Sequence, residues 1–266
     1  MKKVLALLLA LAMVFALAAC TSSNEPAAEP EPEAEPVTLE IFAAASMTET
    51  LNAIKEMYAA VHPEVELVLT LDSSGTLKTQ IEEGAVCDLF ISAAQKQMNQ
   101  LEELNMVATD TRVDLLENKC ALVVPDGNPA GIESYEDLGT DKLTKIALGN
   151  SDVPVGQYSE EILTYMGLWE DLNAAGKITF GSNVKAVTEQ VSEQAVDCGI
   201  VYGTDAAAAG LEVIAYPPEG SHKPIIYPAA VMANSENAEA AQAFLDYLMS
   251  DECSAVFETA GFAIAH

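Results

Sequence analysis

From Val37 onward the apolar residues switch repeatedly between a spacing of two and a spacing of three to four, and each switch falls on small or hydroxyl-bearing residues. This alternation of strand and helix is the strongest constraint on the chain. Consecutive strand–helix units fold as a parallel sheet covered by helices, and such sheets take ligands beyond the carboxyl ends of their strands. The opening unit is Val37-Thr38-Leu39-Glu40-Ile41-Phe42, then Ala43-Ala44-Ala45-Ser46, then a helix with Met47, Leu51, Ile54, Tyr58 and Val61 on one face. Ser46 is expected at the helix N-cap, where unsatisfied N–H groups and about half a positive charge can receive an oxyanion.

Three further junctions repeat the pattern. The strand Val65–Leu71 meets Asp72-Ser73-Ser74-Gly75 before a helix bearing Leu77 and Ile81, with Gly75 allowing close backbone approach. The strand Lys145–Gly149 meets Asn150-Ser151-Asp152-Val153-Pro154-Val155-Gly156 before a helix expected from about Gln157 to Met166, with Gly156 where only backbone would face a ligand. The strand Lys177–Phe180 meets Gly181-Ser182-Asn183 before a helix carrying Val184, Val187 and Val191. A single serine cap is ordinary helix structure, but four junctions at strand ends, two in each half, would face one another across a cleft. Tyr202, closing the strand Gly199–Tyr202, would add a neutral O–H donor there.

The alternation breaks before Lys119-Cys120-Ala121-Leu122-Val123-Val124-Pro125, restarts, and ends in a strand, Ile225–Met232, that returns to the first half, followed by two amphipathic helices between Glu236 and Phe262. The expected fold is therefore α/β with two lobes: residues 37–117 plus 224–266 form the first and 118–223 the second, joined by a two-strand hinge with a ligand cleft between them. Ahead of them, Lys2-Lys3 and an apolar run to Ala18 read as a secretory leader, residues 1–19, ending in Leu17-Ala18-Ala19-Cys20; residues 20–36, with four prolines and five glutamates, read as an extended tether.

A net charge of −29 argues against nucleic acid and anionic membrane surfaces as partners, and makes any anion site depend on local donors. Catalysis finds little support. There is no Gly-x-Ser-x-Gly elbow, phosphate loop or His-Glu-x-x-His, and only three histidines occur. Asp72, Asp88, Asp152 and Asp205 stand at element boundaries, where capping explains them more simply than metal binding. Cys87, Cys120, Cys198 and Cys253 could pair after export in three ways, but Cys87 and Cys198 open buried strands, where cysteine acts as a small hydrophobe, so free thiols are favoured. A zinc site is not expected.

At these motifs the sequence resembles the molybdate-binding proteins of ABC importers, which have the periplasmic binding protein type II fold. The matching pieces are Phe42-Ala43-Ala44-Ala45-Ser46, Ser73-Ser74-Gly75-Thr76-Leu77, Asp88 to Ala93, Val153-Pro154-Val155-Gly156, Gly199 to Asp205 and Tyr227-Pro228-Ala229-Ala230-Val231. The resemblance implies that molybdate or tungstate is held by the hydroxyls of Ser46 and Ser74, the amides of Val155 and Val184 and the phenol of Tyr202. Molybdenum would have no direct protein ligand and no cofactor would be needed. It also implies a monomer that serves an ABC permease, and Leu-Ala-Ala-Cys resembles a lipoprotein box that would anchor Cys20 in the outer face of the cell membrane. Two departures stand out. Val155 occupies a position where the family commonly has alanine, and Asp72 would repel a dianion unless it faces away or caps the following helix. Another oxyanion such as sulfate or thiosulfate, a small carboxylate, or a lipid-anchored hydrolase using the same cleft remain alternatives.

Overall fold

In the computed structural model, which describes residues 36–266, the strand–helix alternation is divided between two separate sheets. The leader 1–19, Cys20 and the tether up to residue 35 lie outside the described residues. In chain order, β1 (Val37–Ala44) passes through a 3-10 turn (Ala45–Met47) into α1 (Thr48–Val61), β2 (Val65–Asp72) into α2 (Ser74–Glu82), and β3 (Leu89–Ile91) into α3 (Gln95–Glu103). β4 (Val113–Asn118) and β5 (Cys120–Val124) follow, separated by Lys119 alone. Next come β6 (Ile146–Gly149), α4 (Pro154–Tyr165), α5 (Trp169–Ala174), β7 (Ile178–Gly181), α6 (Val184–Ser192), β8 (Cys198–Tyr202), α7 (Gly203–Ala209) and β9 (Glu212–Ala215). The chain ends with β10 (Ile225–Val231), α8 (Ala238–Leu248), α9 (Asp251–Ala260) and β11 (Ala263–Ile264).

One sheet has the order β11-β4-β10-β3-β1-β2 and the other β7-β6-β8-β5-β9. The chain leaves the first sheet at Lys119 and re-enters it at Ile225, so two segments connect the lobes. The sheets are mixed rather than wholly parallel. β1 pairs with β2 and β3 in parallel, and β6 with β7 and β8, but β10 runs antiparallel to β3 and β4, and β5 antiparallel to β8 and β9. β11 also runs antiparallel to β4, and β4, β5, β9 and β10 flank the two crossings, neither of which contains a helix.

Register places the junctions. Ala44 lies level with Asp72 across β1 and β2, so the Ser46 and Ser74 turns leave the sheet edge side by side. Gly149 lies level with Gly181 across β6 and β7, which does the same for the Val155 and Val184 turns. Leu51, Ile54 and Tyr58 of α1 are buried as their spacing predicts, whereas Val61 is 58% exposed because the helix ends there, beyond the core. The carboxyl-terminal helix α8 is held to α1 by rings: the Tyr58 centroid lies 4.9 Å from that of Phe244 and 5.0 Å from that of Tyr247, contacts of about 0.5–1.5 kcal/mol each beyond area burial. Among the described residues the four cysteines, Cys87, Cys120, Cys198 and Cys253, are free and buried. Burial pushes their thiols upward, so none is a ready nucleophile.

Candidate functional site

All five residues proposed to contact a ligand line one small cavity between the sheets, together with Ala44, Ala45, Asp72, Ser73, Ala93, Val153 and Pro154. The space is small and is lined from both sheets. The lobes touch around it. The Gly75 N–H donates to the Asp152 carbonyl oxygen at 3.1 Å, Asn183 Nδ2 donates to Asp72 Oδ1 at 3.0 Å, and Lys185 Nζ lies 2.8 Å from Glu49 Oε2. A Cβ built on Gly75 would stand 2.2 Å from the Asp152 oxygen, so this contact requires glycine.

Each junction reaches the cavity by its own local chemistry, not always as expected. Ser46 is not the N-cap of α1. It sits within the 3-10 turn, α1 begins at Thr48, and its buried hydroxyl lies 2.9 Å from Tyr227 Oη. Ser73 caps α2, accepting from the Thr76 N–H at 3.1 Å. That leaves Ser74, fully buried as the first helical residue, to accept from the Ala93 N–H at 2.9 Å. With one lone pair of its Oγ taken by a donor, its own proton is free to point into the cavity.

The third helix starts three residues earlier than expected, at Pro154, because proline suits the first helical position, where no intrahelical N–H is needed. Val155 is therefore a first-turn residue whose N–H has no intrahelical acceptor. Gly156 does not face the cavity. A Cβ there would fall 2.3 Å from the Gly149 oxygen, so the glycine serves close packing of α4 on the end of β6. At the fourth junction Asn183 caps α6 through the Ala186 N–H at 3.0 Å, placing the Val184 N–H in the first turn as well.

Tyr202 closes β8 and is 1% exposed, yet its Oη has no hydrogen-bond partner. A buried phenol without a partner costs roughly 1–3 kcal/mol, so this O–H is a donor awaiting an acceptor in the space it lines. Burial raises its pKa well above the ordinary tyrosine value, which keeps the proton in place. Asp72, expected to turn away or cap α2, is among the residues around the cavity, and Ser73 takes the cap. Asp72 Oδ1 accepts from the Ser73 N–H at 2.7 Å and from Asn183 Nδ2, so two donors, one from each lobe, engage its charge.

The lining itself holds no cation among the described residues, and Lys185, next in sequence to Val184, is engaged elsewhere. Burial alone would lower the Lys185 pKa, but Asp205 and Glu49 outweigh it and hold the ammonium above the ordinary lysine value. Asp205 lies 3.2 Å from Lys185 Nζ, although neither of its oxygens is in hydrogen-bonding geometry. Asp88 has a structural task, accepting from the Glu40 N–H at 2.8 Å and from Ser235 Oγ at 2.6 Å. Sequence reasoning missed Tyr227 and Asn118, which stand behind Ser46; the only trace of them was the Tyr227-Pro228-Ala229-Ala230-Val231 motif.

Residues 39–263 match the family of bacterial extracellular solute-binding proteins. A Bacillus subtilis chain named as an ABC transporter substrate-binding lipoprotein, YvgL, is 36% identical over 228 residues, covering 85% of this chain and 86% of its own. The molybdate-binding protein ModA of Haemophilus influenzae is 35% identical over 228 residues, covering 84% and 89%. A more distant relative, at 28% identity over 228 residues, is named aconitate isomerase, so the relatives are mainly, not uniformly, binding proteins. Among solved structures, a substrate-binding domain from Clostridium difficile assigned to a molybdenum ABC transporter superposes with a TM-score of 0.66 at 38% identity, covering 86% of this chain and all of the other. The Azotobacter vinelandii periplasmic molybdate-binding protein superposes with a TM-score of 0.77 at 22% identity, a likeness of fold, and covers the same shares of the two chains. Two lobes meeting over one small cavity, and a match that runs from the first strand to the last, lead to one conclusion: the chain belongs to the bacterial extracellular solute-binding proteins.

Proposed function

We propose that this chain captures molybdate or tungstate between its lobes and passes it to an ABC permease. The observation that carries the proposal is the chemistry of the lining: hydroxyl and amide donors from both lobes converge on one small cavity, including a buried phenol with no protein partner. A bare dianion is costly to bury, by tens of kcal/mol in the low-dielectric limit, and several charge-assisted hydrogen bonds of about 1.5–3 kcal/mol each, with helix N-termini behind them, replace its water. Ser46, Ser74 and Tyr202 would give O–H groups, and Val155 and Val184 N–H groups. The relatives' names supply the choice of metal oxide.

Donors alone also select. A protonated anion such as monohydrogen phosphate needs an acceptor for its proton, which a ring of donors lacks. Sulfate has the same charge but shorter bonds, so its rejection rests on cavity size. Because each lobe supplies part of the ring, the anion is fully bonded only in the closed form, and binding shifts the population toward it. Anchored by lipid at Cys20 and held off the membrane by its acidic tether, the protein would act as a monomeric carrier without turnover, and without a cofactor.

Calorimetric titration of the purified protein with molybdate, tungstate, sulfate, thiosulfate and phosphate tests this. Molybdate and tungstate are expected to bind, and Tyr202→Phe to weaken both by about 10- to 100-fold, the loss of one hydrogen bond to a charged group. A preference for sulfate or thiosulfate would reassign the ligand, and an unchanged affinity in Tyr202→Phe would remove the cavity from the binding event.

A further inference from the structure

Tyr227 is fully buried, and among the described residues its hydroxyl is the one group bonded to the Ser46 side chain. The direction of that bond follows from the residue behind it. Asn118 is the last residue of β4, at the first crossing between the lobes. Its Oδ1 accepts from the Lys119 N–H at 2.8 Å, and because an N–H cannot face the amide nitrogen, Nδ2 must point the other way. It there donates to Tyr227 Oη at 3.2 Å and to Thr204 Oγ1 of the second lobe at 2.9 Å. Tyr227 Oη thus already accepts one proton. If Ser46 also donated to it, the phenol's own buried O–H would have no acceptor. The arrangement without an orphan has Tyr227 donating to Ser46 Oγ, which turns the Ser46 proton toward the cavity.

We propose that Asn118 and Tyr227 are positioning residues that lock Ser46 as a donor, and that this relay, rather than the serine itself, makes the site refuse protonated tetrahedral oxyanions. The inference rests on the oxyanion reading of the cavity. Left alone, a serine hydroxyl rotates and can accept as readily as donate, so it could take the proton of monohydrogen phosphate or arsenate. With the Tyr227 proton behind it, its second lone pair could accept from a ligand only by leaving the serine's own buried proton without an acceptor, so the arrangement favours Ser46 as a donor. The tyrosine proton is permanent, since burial raises the Tyr227 pKa well above the ordinary value. The ring does not depend on its hydroxyl for its place: it packs edge-on against Phe262 at 5.4 Å between centroids and against Tyr202 at 5.9 Å.

Tyr227→Phe keeps that ring packing and removes only the relay, and thermal melting checks that the variant folds. The test is a double-mutant cycle by calorimetry on wild type, Tyr227→Phe, Ser46→Ala and the double variant, each titrated with molybdate and with phosphate. Tyr227→Phe is expected to lose about tenfold in molybdate affinity and to narrow the molybdate-over-phosphate ratio by at least as much. In the Ser46→Ala background the same change is expected to do nothing, because the relay ends on the missing hydroxyl. If wild type binds molybdate but Tyr227→Phe leaves affinity and ratio unchanged, or costs as much without Ser46 as with it, the relay is overturned while the oxyanion site stands. If wild type binds no tetrahedral oxyanion, both fall.

Discussion

Asp205 is a buried acid held beside Lys185 at the edge of the site. Burial pushes its carboxyl pKa up to about 6 from an ordinary value of 3.8, against the pull of Lys185. A carboxyl raised on folding stabilises the protein fully below its unfolded value, and that contribution is lost as pH rises through about 6. The substitution Asp205→Asn removes the effect, because an amide does not titrate. The melting temperature of wild type relative to Asp205→Asn is therefore expected to fall between pH 4 and pH 7 by a few degrees, of the order of 1–3 kcal/mol, and parallel melting curves would contradict this. At this scale the sequence was legible where chemistry is local. Ser74, Val155 and Val184 could be placed because a strand end followed by a helical spacing marks the turn between them. The Ser46–Tyr227 bond spans 181 positions, and nothing in the local pattern of either residue announces the other. The place of Asp72 was hidden for the same reason, since Asn183, one of its two donors, lies 111 positions away.

The elements themselves were readable by period, and least so where they are short or strained. α4 begins three residues before its apolar spacing shows, because Pro154 is its first helical residue rather than a boundary. β9 and β11, of four and two residues, carry too few side chains to show a period, and β4 hid in the break before Lys119. What the helices do across the cleft is testable through α2. Gly75 is its second residue, so alanine there favours the helix itself, while the added Cβ would stand 2.2 Å from the Asp152 oxygen of the other lobe. Gly75→Ala is expected to keep the melting temperature of the ligand-free protein and to lose about 10- to 100-fold in oxyanion affinity, an overpacking cost borne by the closed form alone. Small-angle scattering should show that the variant no longer compacts on adding molybdate; undiminished compaction would mean the Gly75–Asp152 contact does not govern closure.

For the whole molecule, the two-lobe division follows from where the alternation stops and restarts, and the mixed direction of the sheets from the strands beside the crossings. The same crossings carry Asn118 and the return into β10, so the residues that connect the lobes also stand behind the serine of the site. Our central claim is that an anion taken up by this acidic chain, with Lys185 tied to Glu49 and Asp205, would be held by neutral groups. Crystals grown with molybdate test it most directly, through the anomalous signal of the metal. The peak is expected in the cavity between the lobes, with its oxygens against the hydroxyls of Ser46, Ser74 and Tyr202 and the amides of Val155 and Val184. A peak elsewhere on the protein, or one held chiefly by Lys185, would contradict it.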